Sequence, residues 1–304
     1  MDFLYWLEGI RIPVLNELML FITQLGDESA FLIIALVIFW CVDKHRGYYL
    51  MSVGFTGTII NQFMKLLFRV PRPWVLDGNF SALEQAKTGA GGYSFPSGHT
   101  QSSVGTFGSI AYTTRNKALR IVCIILAIIV PFSRMYIGVH TPLDVLTAAA
   151  IAVALIVLLR PVVLNRDGKY IPFLLAVMTA LAVGYVLFVE MYPFPENVDL
   201  TNLASGTENA YTLLGAIFGM IVVYIVDTKW LKFRTKGVWW TQILKVAGGL
   251  LLVLAVKNGT KEMLNSAFGE LAGRAVRYFL TVITAGIIWP LTFNWFELLG
   301  YRRK

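Results

Sequence analysis

The sequence predicts an all-α, polytopic membrane protein, and three observations predict it. The chain of 304 residues is 57% hydrophobic and only 14% charged, whereas a soluble domain carries about a quarter charged residues. Apolar runs recur along its whole length, several near the ~20 residues that a spanning helix needs. Basic residues cluster in short loops at every second turn of the chain, which is the positive-inside pattern. The alternation of a long β-barrel is absent. A net charge of +8 would point to nucleic acid in a soluble protein. Here the placement of the basic loops accounts for the charge, so nucleic acid is not expected as a partner.

The elements follow in order. Residues 3–10 form a short aromatic-rich segment suited to the interface. Residues 13–25 and 30–42 are apolar and separated by Gly26-Asp27-Glu28-Ser29; we read them as two short spans. Lys44-His45-Arg46 is the first basic loop. Residues 47–68 make a full span ending near Lys65, and the loop from Arg69 to Ser94 is irregular, with Pro71, Pro73, Gly78 and the run Gly89 to Gly92. A helix over 97–114 starts beside Pro96, as first-turn prolines allow. Arg115, Lys117 and Arg120 form the next basic loop. Spans over 119–136 and 142–160 follow, then Arg160, Arg166 and Lys169. Spans are expected over 171–189, 209–227, 239–256 and 277–297. An acidic loop runs from Glu190 to Glu208, and Lys229, Lys232, Arg234 and Lys236 form a fourth basic loop. Trp239 and Trp240 suit an interfacial belt. The loop 257–274 can hold an amphipathic helix, Lys245 lies unexplained inside a span, and the tail is Arg302-Arg303-Lys304.

Ten crossings place every basic loop on one side, expected to be the cytoplasm, with both termini there. The start of the chain has acidic residues and no basic leader, so the first helices are expected to serve as an uncleaved targeting signal. Cys41 and Cys123 lie inside apolar runs and read as small hydrophobes rather than as a disulfide or metal site.

Three polar clusters interrupt this apolar background, all on the face opposite the basic loops. The first is Lys65 with Arg72-Pro73. The second is Pro96-Ser97-Gly98-His99. The third is Ser133-Arg134 with His140 and Asp144. The chain has three histidines, and two of them are here. Ionisable groups at membrane depth are costly unless they meet in one site. Three cations suit a dianionic phosphate, arginine as a planar fork and lysine as a point charge. Ser97 and the Gly98 N–H open a helix, where dipole and free N–H groups favour an anion. Of two histidines at a phosphate, one can attack phosphorus and the other protonate the leaving oxygen. Asp144 lies four residues after His140 and shares its helix face, so it can hold the imidazole in the attacking tautomer, as in a hydrolase triad. Singly, each residue has a plainer reading: Lys65 snorkels, Pro-Ser-Gly starts a helix, Arg134 anchors at the interface, Asp144 caps. Together on one face they read as a site. No Cys, His or carboxylate cluster has the spacing of a divalent-metal site.

The runs Lys65-LLFRVP-Arg72-Pro73, Pro96-Ser97-Gly98-His99 and Ser133-Arg134-MYIGV-His140-TPL-Asp144 resemble the three-part signature of the type 2 phosphatidic acid phosphatase superfamily in residue type, order and spacing. The resemblance covers residues 12–160. It implies that Lys65, Arg72, Ser97, Gly98 and Arg134 hold phosphate, with help from Ser133. It implies that His99 donates the proton, that His140 is the nucleophile with Asp144 as partner, and that neither metal nor other cofactor is needed. It also implies a six-helix phosphatase core, here residues 1–169; the about four extra transmembrane helices expected in residues 170–304 depart from that core. A core followed by further spans, with FSRMYIGVH in the third motif, is similar to the sphingosine-1-phosphate phosphatase branch.

The expected function is an integral-membrane lipid phosphate phosphatase that acts on a phosphomonoester through a phosphohistidine. The expected partners are a lipid phosphate and the bilayer. Its site is expected to face the extracytoplasmic side of a cell membrane, and the compact loops look bacterial. The rivals are an undecaprenyl or other polyprenyl diphosphate phosphatase, a lipid phosphate-group transferase, and a transporter built on an inactive phosphatase core. Intact His99, His140 and Asp144 argue against the last.

Overall fold

The computed structural model describes residues 1–165 and 167–301; Arg166 of the third basic loop and the tail Arg302-Arg303-Lys304 lie outside the described residues. Among the described residues every regular element is a helix. The chain opens with α1 (Asp2–Gly9), α2 (Pro13–Thr23), α3 (Glu28–Val37) and the 25-residue α4 (Lys44–Phe68). The loop read as irregular holds two short helices, α5 (Pro73–Leu76) and α6 (Glu84–Thr88). Then come α7 (Gly98–Ser103) and α8 (Ser109–Thr113), joined by a wider π-helical turn, Val104–Gly108. The rest is α9 (Lys117–Tyr136), α10 (Pro142–Val163), α11 (Ile171–Met191), α12 (Leu200–Val226), α13 (Trp239–Gly259), α14 (Lys261–Phe268), α15 (Glu270–Ile283) and α16 (Phe293–Tyr301). Local chemistry sets several starts. The Ser97 hydroxyl accepts from Thr100 N and caps α7, and the Asn116 side chain accepts from Leu119 N and caps α9. Prolines occupy the first positions of α2, α5 and α10.

Among the described residues six helices are long and apolar enough to cross a membrane: Lys117–Tyr136, Pro142–Val163, Ile171–Met191, Leu200–Leu231, Trp239–Phe268 and Glu270–Leu299. α4 has the length but carries more polar residues, with Ser52, Thr56 and Asn61 buried along it. The supposed loop 257–274 is helical almost throughout, in α13, α14 and α15.

The two short apolar segments at the start do not form two antiparallel spans. Pro13–Gly26 and Glu28–Val42 run on from one another with a bend of 54°, where a pair of spans would need a reversal. The break falls at the Gly26-Asp27 step, where Asp27 ends one helix and its carboxylate accepts from Ser29 N at 2.8 Å to start the next. One crossing fewer moves the N-terminus to the face that carries the polar clusters, and contacts agree. Tyr5 OH donates to Asp77 Oδ2 at 2.8 Å, the Ser81 hydroxyl donates to Glu8 Oε1, and Arg11 NH1 donates to the Ser81 carbonyl at 2.6 Å. Leu4 and Leu7 are fully buried in one apolar cluster with Phe80, Ala82, Val130, Ile137 and Val139. Burying each such leucine is worth about 1.5–3 kcal/mol, so α1 is anchored on that side. The expectation that both termini lie with the basic loops is therefore corrected for the N-terminus.

The chain forms two compact units. One comprises Met1–Leu32, Tyr49–Pro161 and Phe194–Gly206; the other comprises Ile33–Tyr48, Val162–Pro193 and the chain from Thr207. All three polar clusters belong to the first. The second holds Lys245, which is fully buried. Its ammonium donates to the Lys236 carbonyl at 3.2 Å and stands 4.6 Å from the Phe293 ring centroid. A carbonyl and a ring face compensate that cation. Lys44 and Asp227 form a 2.9 Å ion pair in the same unit.

Candidate active site

The site is assembled by the ends of four helices and one extended strand of loop. α4 delivers Lys65, the turn before α5 delivers Arg72, the start of α7 delivers Ser97, Gly98 and His99, and the α9–α10 connection delivers His140. Asp144 stands in the first turn of α10. The backbone ties these pieces together: Ser97 N donates to the Asp144 carbonyl at 3.1 Å and Ser94 N to the Val70 carbonyl at 2.7 Å. Between α9 and α10 the chain turns through Gly138 at φ +84°. That conformation suits glycine, and a β-carbon there would also stand 2.9 Å from the Ala82 backbone.

His140 is 1% exposed. Its Nδ1 lies 3.5 Å from Asp144 Oδ2 and 3.4 Å from the Ser94 hydroxyl, which itself donates to Asp144 Oδ2 at 2.6 Å. The carboxylate thus reaches the ring directly and through Ser94, and Thr141 N donates to the same oxygen at 2.7 Å. On the other edge of the ring, Nε2 lies 3.0 Å from Arg72 NH1. Guanidinium only donates, so Nε2 is the unprotonated nitrogen and Nδ1 carries the proton. Burial, and then the neighbouring Arg72, Arg134 and Lys65, hold the imidazolium well below its ordinary range, so the ring is neutral. This is the nucleophilic form of a histidine.

Arg72 is pinned by carbonyls: Nε donates to Gly92 O, NH2 to Gly91 O and NH1 to Val139 O, each at 2.9 Å. Burial pushes its guanidinium down to about 10, so it remains charged at neutral pH. Lys65 Nζ donates to Tyr93 O at 2.6 Å. Arg134, 4% exposed, donates from NH1 to the Thr23 hydroxyl at 2.7 Å, while its Nε is buried without a protein partner. Ser97 accepts from Thr100 N and Thr100 Oγ1, which leaves its own hydroxyl proton for a phosphate oxygen. Ser133, by contrast, donates to the Val130 carbonyl at 2.6 Å. His99 is half-buried, and its backbone packs on Gly26, where a β-carbon would come within 2.9 Å of the His99 carbonyl oxygen. Its ring is within electrostatic reach of Arg134, Asp27, Arg72 and Lys65.

Sequence reasoning missed several contributors. Residues 91–94 touch two of the three cations, Lys65 and Arg72, and the His–Asp pair, through three carbonyls and the Ser94 hydroxyl. Thr23 and Asp27 come from the segments expected as two short spans and from the break between them. Ser94 stands two residues before Pro96, but serine is too common for its position alone to signal a role. The carbonyls of a Gly-rich run carry no residue-type signal at all.

The arrangement can seat a dianion against three cations and a helix start, with a neutral imidazole facing it. Residues 47–168 match the family model described as PAP2 superfamily, and residues 211–303 match that described as PAP2 superfamily phosphatase, transmembrane extension. The undecaprenyl-diphosphatase BcrC of Bacillus subtilis is 30% identical over 142 residues, which are 46% of this chain and 70% of that protein. Phosphatidylglycerophosphatase B of the same organism is 29% identical over 164 residues, 50% of this chain and 76% of that protein. Sphingosine-1-phosphate phosphatase 1 of Mus musculus is 23% identical over 270 residues, 79% of this chain and 58% of that protein. No solved structure matches the chain significantly. The signature residues in the first part of the chain and the matched extension in the second lead to one family: this chain belongs to the PAP2 superfamily and is a multi-pass membrane phosphatase.

Proposed function

We propose that the protein hydrolyses the phosphomonoester of a membrane lipid through a phosphohistidine on His140, without a metal ion. The observation that carries this reading is the orientation of His140: Nδ1 turned toward Asp144 and Ser94, Nε2 toward the cations. A phosphate arriving between Arg72 and the ring takes the Arg72 N–H on one of its oxygens and leaves Nε2 in line with phosphorus. Lys65, Arg134, Ser97 and the Gly98 N–H hold the remaining oxygens, with Ser133 supporting from α9. Burial and the surrounding cations push the free His99 imidazolium down to about 3, and the arriving phosphate dianion, which offsets those cations, lets His99 take up the proton it needs. Nε2 of His140 attacks phosphorus, the P–O ester bond breaks, and His99 gives that proton to the departing lipid alkoxide. His99 then takes a proton from water, whose oxygen attacks phosphorus, and the P–N bond breaks to release inorganic phosphate and free His140. In this reading residues 1–169 carry the chemistry.

A second reading, a polyprenyl diphosphate substrate, is supported by the similarity to the undecaprenyl-diphosphatase. Catalytic efficiency compared across phosphatidate, sphingosine 1-phosphate, phosphatidylglycerol phosphate and undecaprenyl diphosphate separates the two. The expected result is comparable turnover of the monophosphates, since an apolar pocket discriminates an added methylene by only ~1–3 kcal/mol. A hundredfold preference for the diphosphate selects the second reading. The same assay in excess EDTA should show undiminished phosphate release; loss restored by magnesium would overturn the metal-independent mechanism. Release of free phosphate, rather than its transfer to an added alcohol, separates hydrolysis from transfer.

For orientation we propose an extracytoplasmic site, supported by the basic loops on the opposite face. In a background lacking Cys41 and Cys123, cysteines placed in the 77–92 loop and at Asp2 should both label with an impermeant reagent added to intact cells. One placed at 229–236 should not. The reverse labelling would invert the orientation, and labelling of 77–92 without Asp2 would contradict the packing of α1.

A further inference from the structure

Beside the phosphate cradle, α4 and α7 enclose amide groups that no protein group satisfies. Gly57, Asn61 and Lys65 recur every four residues on α4 and share one face. α7 crosses that face with Gly98 and Gln101. Asn61 Oδ1 lies 3.8 Å from where a β-carbon on Gly98 would stand, and the Gln101 amide fills the space that a β-carbon on Gly57 would need. Gly98 therefore stands opposite Asn61, and Gln101 one step further along, opposite Gly57. Asn61 is 2% exposed and Gln101 4%. In both residues the amide oxygen and the amide nitrogen are buried without a protein partner. A buried polar atom left unpaired loses its full hydration, and native proteins hold few of them.

The place of Asn61 indicates what it takes. It lies one helical turn, about 5.4 Å, from Lys65, and it flanks the residue whose N–H opens α7. A phosphoryl group seated on Lys65 and the Ser97–Gly98 turn has oxygens on the α4 side as well as toward the arginines. Arg72 already spends three of its five N–H donors on the carbonyls of Gly91, Gly92 and Val139, and Arg134 gives one to Thr23. A half-turn about the last side-chain bond exchanges the amide oxygen and nitrogen, so Asn61 can present Nδ2 to the cradle. We infer that Asn61 is a further phosphate-binding residue, whose amide donates a directed, uncharged hydrogen bond to a non-bridging phosphoryl oxygen on the α4 side of the cradle. This rests on the reading of Lys65, Ser97 and Gly98 as the phosphate site. Gln101 is the internal control, because its amide is equally buried and unpaired but stands a step further from Gly98.

The test uses the full chain in detergent, with orthovanadate as the phosphoryl probe and its inhibition constant and direct binding as readouts. Asn61→Leu is nearly isosteric and removes the unpaired amide. It should weaken orthovanadate at least tenfold while the thermal midpoint stays level or rises. Asn61→Asp should weaken it further, because a carboxylate would face the anion. Asn61→Ser, which keeps a small donor, should fall between and serves if the leucine variant does not fold. Gln101→Leu should leave the constant within twofold. Unchanged orthovanadate affinity in Asn61→Leu or Asn61→Ser overturns the inference, as does an equal loss in Gln101→Leu, which would mark general loosening of the α4–α7 contact. These outcomes leave wild-type hydrolysis intact. A wild-type protein that neither binds orthovanadate nor releases phosphate from any lipid would instead overturn the functional reading itself.

Discussion

His140→Ala should lose at least about 10⁴-fold in kcat while the protein still inserts and folds. The scale is that of removing a nucleophile whose partners cannot replace it. The imidazole of His140 presents an unprotonated nitrogen to Arg72, and Asp144 and Ser94 lie at its other edge. Alanine leaves a small gap beside Arg72 but no buried charge without compensation, so thermal unfolding should shift modestly. Phosphate release from a lipid monophosphate, measured beside the thermal midpoint, checks both statements. Near wild-type activity would end the phosphohistidine mechanism. The neutral ring has a further consequence for pH. A nucleophile whose protonated form is held far below the ordinary imidazole range is already unprotonated at pH 6. kcat/KM reports groups of the free enzyme. It should therefore show no acid-side loss near pH 6.5 that disappears in Asp144→Asn or follows His140; any loss from His140 should begin at lower pH.

Arg72→Ala should lower kcat/KM about 10³-fold, the upper range for removing one electrostatic stabiliser of a developing charge. Two effects combine in it. The phosphate loses a guanidinium at the face of His140, and the carbonyls of Gly91, Gly92 and Val139 lose their donor. The loop that holds Lys65 through Tyr93 O and Asp144 through Ser94 should loosen with them. Arg72→Lys restores the charge but not the fork that reaches three carbonyls at once, so it should recover only a small part of the loss. Full recovery by lysine would mean that Arg72 acts as a point charge and that its carbonyl contacts are incidental.

The membrane fold was legible in the sequence because its causes are local. An apolar run long enough to span, a basic loop and a proline or serine at a helix start each act through a few neighbouring residues. The three polar clusters were legible for a related reason. Charged side chains and histidines are so costly in an apolar chain that their positions alone announce a site, and their spacing on helices tells which share a face. Other features were decided by the tertiary structure. The bend at Gly26-Asp27 depends on what α2 and α3 pack against, since both segments are apolar and of nearly equal length. The side of the N-terminus followed from that bend and from the packing of Leu4 and Leu7, which no charge rule counts. Ser94, Thr23 and the carbonyls of Gly91, Gly92 and Tyr93 became part of the site only when distant segments met, because a hydroxyl or a backbone oxygen gains its role from the donor that reaches it. Asn61 carries the same lesson: in the sequence it is one polar residue in a span, and only its burial opposite Gly98, with no protein partner for its amide, distinguishes it.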